Sequence, residues 1–176
     1  TQFFFFFSGS NSVEKFDQLP LPYRAIGADL ENGFTVIMDH GDLPLVMRAS
    51  MSVSGVFPPV PYENSLVVDG GIVKNMGVDV GRQLCGDAVI AVDVSSPNAN
   101  RQKLESLFAV SEQTINIAVQ RDMQAQIATL TTKDILINPE MGKLTSTDFN
   151  ESAQLIAAGE KAARAASPSL KRYALS

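Results

Sequence analysis

The chain has 176 residues, 45 % of them hydrophobic and 19 % charged, with a formal net charge of −5. That balance describes a folded domain with a sizeable core and excludes a disordered chain, and without a Lys/Arg block there is no electrostatic footprint for nucleic acid. The single cysteine, Cys85, excludes an internal disulfide and a cysteine-based metal cluster; in its apolar stretch it reads as a buried, inert thiol, and it leaves the compartment open.

The first elements are unusual. Residues 1–7 (TQFFFFF) carry five consecutive Phe, followed by a flexible-looking SGSNS. The apolar run is far shorter than the roughly 20 residues of a membrane span. It lacks the basic flank and cleavage site of a signal peptide. Residues 1–13 therefore read as a leading segment, a strand or loop cut from something longer, and residues 14–176 as one folding unit.

Residues 19–22 (LPLP) favour an extended lead-in. Residues 23–30 (YRAIGADL) and 34–38 (FTVIM) then read as strands around the turn signal Glu31-Asn32-Gly33, a predicted hairpin. Asp42 is placed to cap a helix over 43–50, with Pro44 tolerated in its first turn. Residues 51–60 (MSVSGVFPPV) read as a loop too apolar to lie freely in water. A strand is predicted over 65–69 (SLVVD) and weak helix over 75–84, where Gly77 and Gly81 work against it. The run at 88–94 (AVIAVDV) resembles a parallel strand covered on both faces.

Apolar residues at Leu104, Leu107, Phe108, Ile115, Val119, Met123, Ile127 and Leu130 recur at helical spacing, which predicts a long helix over 101–130 with a core-facing stripe. A short strand at 134–138 and a helix at 152–166, stopped by Pro168, complete an alternating α/β order.

The stretch SLVVDGG raises a chemical question. Asp is disfavoured in strands and costly to bury unpaired. Asp69 either opens a solvated Asp-Gly turn or is a carboxylate held at a strand's carboxyl end, where α/β folds gather their functional groups. Gly70 and Gly71 would then allow positive φ and the close approach of a partner such as a nucleophile.

The surroundings of Asp69 weigh on that choice. Residues 49–60 (ASMSVSGVFPPV), a short spacer, LVVDGG at 66–71 and then Asn75 resemble the patatin-like phospholipase family. Residues 16–25 (FDQLPLPYRA), Gly41-Asp42-Leu43, Met47-Arg48-Ala49-Ser50 and the strand at 88–94 keep the family's order. Gln120-Arg121-Asp122 and residues 134–139 (DILINP) look most like the patatin moiety of bacterial type Vd autotransporters. The resemblance covers roughly residues 14–166. It implies a three-layer α/β/α fold with a central, mainly parallel sheet, of which this chain holds the C-terminal part.

The resemblance also implies the chemistry of a lipid acyl hydrolase working through a serine–aspartate dyad, with Asp69 as base, Gly70 and Gly71 supporting the motif, and no metal or cofactor. The family's nucleophile lies in Gly-x-Ser-x-Gly and its oxyanion loop is glycine-rich; neither occurs in these 176 residues. They are expected from an N-terminal part of the same domain or from a companion chain, so this chain alone is expected to be inactive. The implied partners are a lipid or phospholipid substrate and a membrane surface; a homodimer is left open. A bacterial exported or outer-membrane location follows from the resemblance alone. A non-catalytic fragment or pseudo-enzyme, binding lipid or acting as a scaffold, is the rival. Ser54 and Gly77 stand where the family often has Pro, which loosens the backbone without removing a reacting group.

Other groups read more simply. Ser50, Ser52 and Ser54 sit in no nucleophile-elbow sequence and are expected to bond within the loop or end the helix; Ser8 and Ser10 fare no better. The only histidine, His40, is expected to be an exposed turn residue titrating near its reference value. Asp39, His40 and Asp42 fit no metal-ligand spacing. Asp93 reads as a strand-end cap, with no phosphate-binding glycine pattern beside it.

Overall fold

The computed structural model describes residues 14–95, 105–142, 144 and 149–174. The reading of residues 1–13 as a leading segment lies outside them, as do Leu104 and the side chains of Cys85 and Phe108. Helices and strands are mixed, and the chain is α/β. Two compact units divide between Gly77 and Val78, although no linker composition marks the border.

In the first unit, β1 (Ala25–Asp29) and β2 (Thr35–Met38) form the predicted hairpin, Ala25 opposite Met38. The Asp29 carboxylate closes its turn by accepting from the Glu31 amide at 3.0 Å and the Asn32 side-chain amide at 2.7 Å, while Gly33 supplies a φ of 75°. Helix α1 (Leu43–Ser50) starts on the Asp42 side chain, which accepts from the Leu45 amide at 3.3 Å, and Pro44 sits in the first turn where its missing N–H costs nothing. Two further strands follow, β3 (Val60–Tyr62) and β4 (Ser65–Asp69), and then the short helix α2 (Gly71–Lys74).

The sheet order is β2-β1-β4-β3. All three of its pairings are antiparallel, where a mainly parallel sheet was expected. For two of these pairings the reason is connection length. The β1–β2 and β3–β4 links are hairpin turns, and a parallel crossover needs about a dozen residues or more. Strand β3 takes up Val60, the last residue of the predicted loop, and Pro61 is tolerated since β3 lies at the sheet edge. Phe16, Met38, Val46, Ala49 and Val67 form the core of this unit, with α1 packed on β1, β3 and β4.

The second unit holds α3 (Val78–Cys85), β5 (Ile90–Val92), α4 (Leu107–Ala128), β6 (Ile135–Ile137), α5 (Ser152–Ala165) and α6 (Ser167–Leu170). Here β5 and β6 do pair in parallel, with the long helix in the crossover between them. The loop before β6 is tied to the C-terminal turn Lys171–Tyr173, whose Arg172 donates to the carbonyls of Thr132 and Lys133.

Two expectations change. Ala91 is buried, but Ile90 and Val92 remain half-exposed, so β5 is not covered on both faces. The stripe of α4 is only partly core: Met123 is buried while Leu107 and Ile115 are exposed. Helix α5 ends at Ala165, ahead of Pro168 as predicted, and Pro168 then occupies the first turn of the separate helix α6. Among the described residues no helix is long and apolar enough to cross a membrane.

Candidate active-site carboxylate

Asp69 is the last residue of β4, directly opposite Gly27 of β1. Its backbone is pinned on the sheet and also from the loop after α1: the Asp69 amide donates to the Ser52 carbonyl at 3.0 Å. Its carboxylate accepts from the Gly71 amide at 2.7 Å, a turn of the kind Asp-Gly sequences form. The side chain is half-buried, and burial raises its pKa above the ordinary carboxylate value, partly offset by the Gly71 amide.

The two glycines are needed, but not for positive φ. Gly70 has φ −71° and ψ −14°, and Gly71 begins α2, so both backbones are open to any residue. What excludes a side chain is contact. A Cβ on Gly70 would lie 2.7 Å from the Ile26 carbonyl carbon and closer still to its oxygen. A Cβ on Gly71 would lie 2.8 Å from the Asp69 carboxylate and 3.1 Å from the Asn75 side-chain oxygen. The DGG sequence thus folds its turn against β1 and brings Asn75 to the same corner as the carboxylate.

Ser50 ends α1 as expected, but its Oγ reaches beyond the loop and donates to the Ile26 carbonyl of β1 at 2.7 Å, the same carbonyl that Gly70 packs against. Ser52 is fully buried, and its hydroxyl donates to the Arg48 carbonyl at 2.9 Å. Arg48, which sequence reasoning left without a role of its own, returns a bond from Nη1 to Ser52 Oγ at 2.5 Å. Asp93 accepts from the Ser95 amide at 2.9 Å, as expected of a strand-end cap. A shallow depression lined by Glu160, Arg164 and Leu170 lies in the second unit, whereas Asp69 is in the first.

His40 departs from expectation. It is half-buried and engaged on both ring nitrogens, with Asp39 Oδ1 2.7 Å from Nδ1 and Glu63 Oε1 3.0 Å from Nε2. The Asp39 bond, with help from Glu63, raises its pKa above 6.5. Buried Asp29, which also accepts from Ser65 Oγ at 3.0 Å, was likewise missed, although the signal was available in Asp29-x-x-Asn32 at a turn. Among the described residues no group of three or more His, Cys, Asp or Glu side chains could hold a metal ion.

Known proteins match the segment that contains this corner. Residues 19–81 match the family model described as patatin-like phospholipase. The chain is 40 % identical over 82 residues to mouse patatin-like phospholipase domain-containing protein 7, and 34 % identical over 85 residues to human patatin-like phospholipase domain-containing protein 6. Those alignments take in 46 % and 47 % of this chain, and 6 % of each relative's length. An uncharacterised NTE family protein of Mycobacterium bovis is 27 % identical over 184 residues, spanning 91 % of this chain and 30 % of that protein. The likeness to autotransporters is not shown by these relatives. The matched segment runs from the strand hairpin through the DGG corner, and over those residues the chain is similar to the patatin-like phospholipase family.

Proposed function

We infer that this chain supplies the base-bearing part of a lipid acyl hydrolase acting on carboxylic esters of phospholipids or related lipids. One observation carries the reading: a carboxylate with a raised pKa stands at the carboxyl end of β4, in a turn so tight that a side chain on Gly70 would strike the Ile26 main chain and one on Gly71 would press on the carboxylate itself.

The raised pKa matters for the chemistry. A stronger base takes a hydroxyl proton more readily, and efficiency grows as the acceptor's pKa approaches the working pH. In the proposed step, a serine hydroxyl from sequence outside these 176 residues attacks the ester carbonyl. Its proton passes to Asp69, and the negative charge on the carbonyl oxygen is met by backbone amides of a glycine-rich loop, also from outside. Asp69 then returns the proton to the departing alcohol. Water repeats the cycle in reverse on the acyl-enzyme. No metal or cofactor is asked for.

The test is Asp69→Asn in the polypeptide that carries both this segment and a Gly-x-Ser-x-Gly. The amide keeps the oxygen that accepts from Gly71 but cannot take the proton. Ester turnover is expected to fall by about a thousandfold or more with the fold intact, in the range that removing an acid–base group costs. Retained turnover would remove Asp69 from the reaction. Absence of fluorophosphonate labelling on the complete assembly would favour a lipid-binding or scaffold role instead.

A further inference from the structure

We propose that Arg48 is a positioning residue for Asp69, acting through the loop that follows α1; the proposal rests on Asp69 being the base.

Arg48 lies in the last turn of α1, where a cation also complements the helix carbonyls. Its guanidinium gathers both ends of the 52–58 loop. At the near end Nη1 donates to Ser52 Oγ at 2.5 Å. At the far end Cζ stands 4.6 Å from the Phe57 ring centroid, within cation–π range, and Nη2 reaches the Pro58 carbonyl at 3.5 Å. The loop between, with Gly55 at φ 86° and Val53 and Val56 exposed, has little core burial of its own.

Ser52 links that clasp to the candidate base. It is fully buried, its amide donates to the Ala49 carbonyl at 3.1 Å, and its own carbonyl accepts the Asp69 amide at 3.0 Å. Wherever Arg48 holds Ser52, the end of β4 is held too. Ser50, two residues away, fixes the Ile26 carbonyl against which Gly70 packs. One helix end thereby sets both backbone contacts of the Asp69-Gly70 turn. A planar, forked cation suits this position: it can donate to Ser52 and Pro58 while lying over Phe57, which an ammonium cannot do.

The experiment is Arg48→Ala and Arg48→Lys, read in two ways. Hydrogen exchange of the Asp69 amide reports the bond to Ser52 directly, without any substrate. It is expected to quicken about tenfold in R48A and less in R48K. Ser52 keeps its own bond to the Arg48 main chain, so the result is loosening and not loss. Turnover of a short soluble ester by the complete polypeptide is expected to fall about tenfold in kcat, a change of about 1.4 kcal/mol in the barrier. KM should stay within about twofold, because misplacement of a reacting group affects the transition state and not ground-state binding. Unchanged Asp69 exchange in folded R48A, or a loss confined to KM, overturns the proposal. Faster exchange with full kcat also overturns it. If Asp69→Asn keeps its activity while exchange in R48A quickens, the base assignment fails and the mechanical link stands. Should R48A not fold, R48K and Phe57→Leu carry the same two readouts.

Discussion

Asp69 and Asp134 are carboxylates at the border of a β-strand, one in each unit, and their surroundings are opposites. Asp134 sits just before β6 with its side chain fully buried, and it accepts from Arg82 Nη1 and Nη2, the Val89 amide, the Thr131 amide and Thr131 Oγ1. The Arg82 fork, with the backbone amides, holds its pKa far below the ordinary range. Asp69 has the Gly71 amide against a burial penalty, and its pKa goes up. The fold spends donors on Asp134, which ties the starts of β5 and β6 together, and leaves Asp69 the stronger base. A carboxylate that is saturated with donors is a structural fixture; one that is half-buried and lightly held has affinity left for a proton.

Neutralising each acid in turn should separate the two environments. Asp69→Asn is expected to abolish turnover and leave folding intact, as set out above. Asp134→Asn should do the reverse. Its new amide group would face the Arg82 fork or the Thr131 amide donor to donor, so the denaturation midpoint falls while turnover per folded molecule stays within about twofold. If D134N loses activity without losing stability, the division into fixture and base is mistaken.

Gly70 offers the next largest effect. A methyl group there meets main-chain atoms of Ile26, which cannot swing aside as a side-chain tip would. Gly70→Ala is expected to cost about 1–3 kcal/mol or more, measured by urea denaturation. Gly159, inside α5 with nothing within 4 Å of its would-be Cβ, is the control. There the same substitution should stabilise by about 0.5–1 kcal/mol through helix propensity. Equal outcomes at the two positions would mean that the DGG corner is not sterically closed.

These residues also show what the sequence could and could not convey. The hairpin, the Asp42 cap, the strand ending at Asp69 and the long helix α4 are local: turn chemistry, capping and periodicity write them into neighbouring residues. The antiparallel sheet is not local, since the neighbour of β1 on its second side is β4, some forty residues on. The glycine pair suggests either positive φ or a close approach from the sequence; it is the close approach that holds, and its partner at Gly70, the Ile26 carbonyl, belongs to a distant segment. Arg48 escaped notice for a related cause: its partners Ser52, Phe57 and Pro58 are near in sequence, but the value of holding them comes from the Asp69 amide across the sheet.

The two acids should also pull stability in opposite directions with pH. Asp69 has a folded pKa above its unfolded 3.8, so its contribution is present below 3.8 and is lost as pH rises through the raised value. Asp134 has a folded pKa below 3.8, so its contribution is present above 3.8 and is lost as pH falls through the lowered value. Relative to wild type, D69N should therefore gain stability from acid toward neutral pH, and D134N should lose it over the approach to pH 4. Parallel curves for the two variants would show that their environments do not differ as the contacts indicate.

His40 gives the smallest effect and the cleanest reading, because it is the only histidine in the chain. Its ring lies between Asp39 and Glu63, with the Tyr62 hydroxyl 3.1 Å from Nδ1, and Glu63 is held at φ 50° in the β3–β4 turn. A neutral imidazole donates from one nitrogen only, so both carboxylates are satisfied only when the ring is protonated. The folded pKa is raised above 6.5, so the added stability is fully present below 6.5 and fades as pH rises through the raised value. With 42 % of the side chain exposed, solvent screening keeps the gain under about 1 kcal/mol. An NMR titration should place the imidazole midpoint above 6.5, and Glu63→Gln should move it back down without restoring the reference value, since the Asp39 bond is the larger cause. A midpoint at or below 6.5 would mean that the ring spends its time in water, and that this clasp on the hairpin leading to Asp69 does not form.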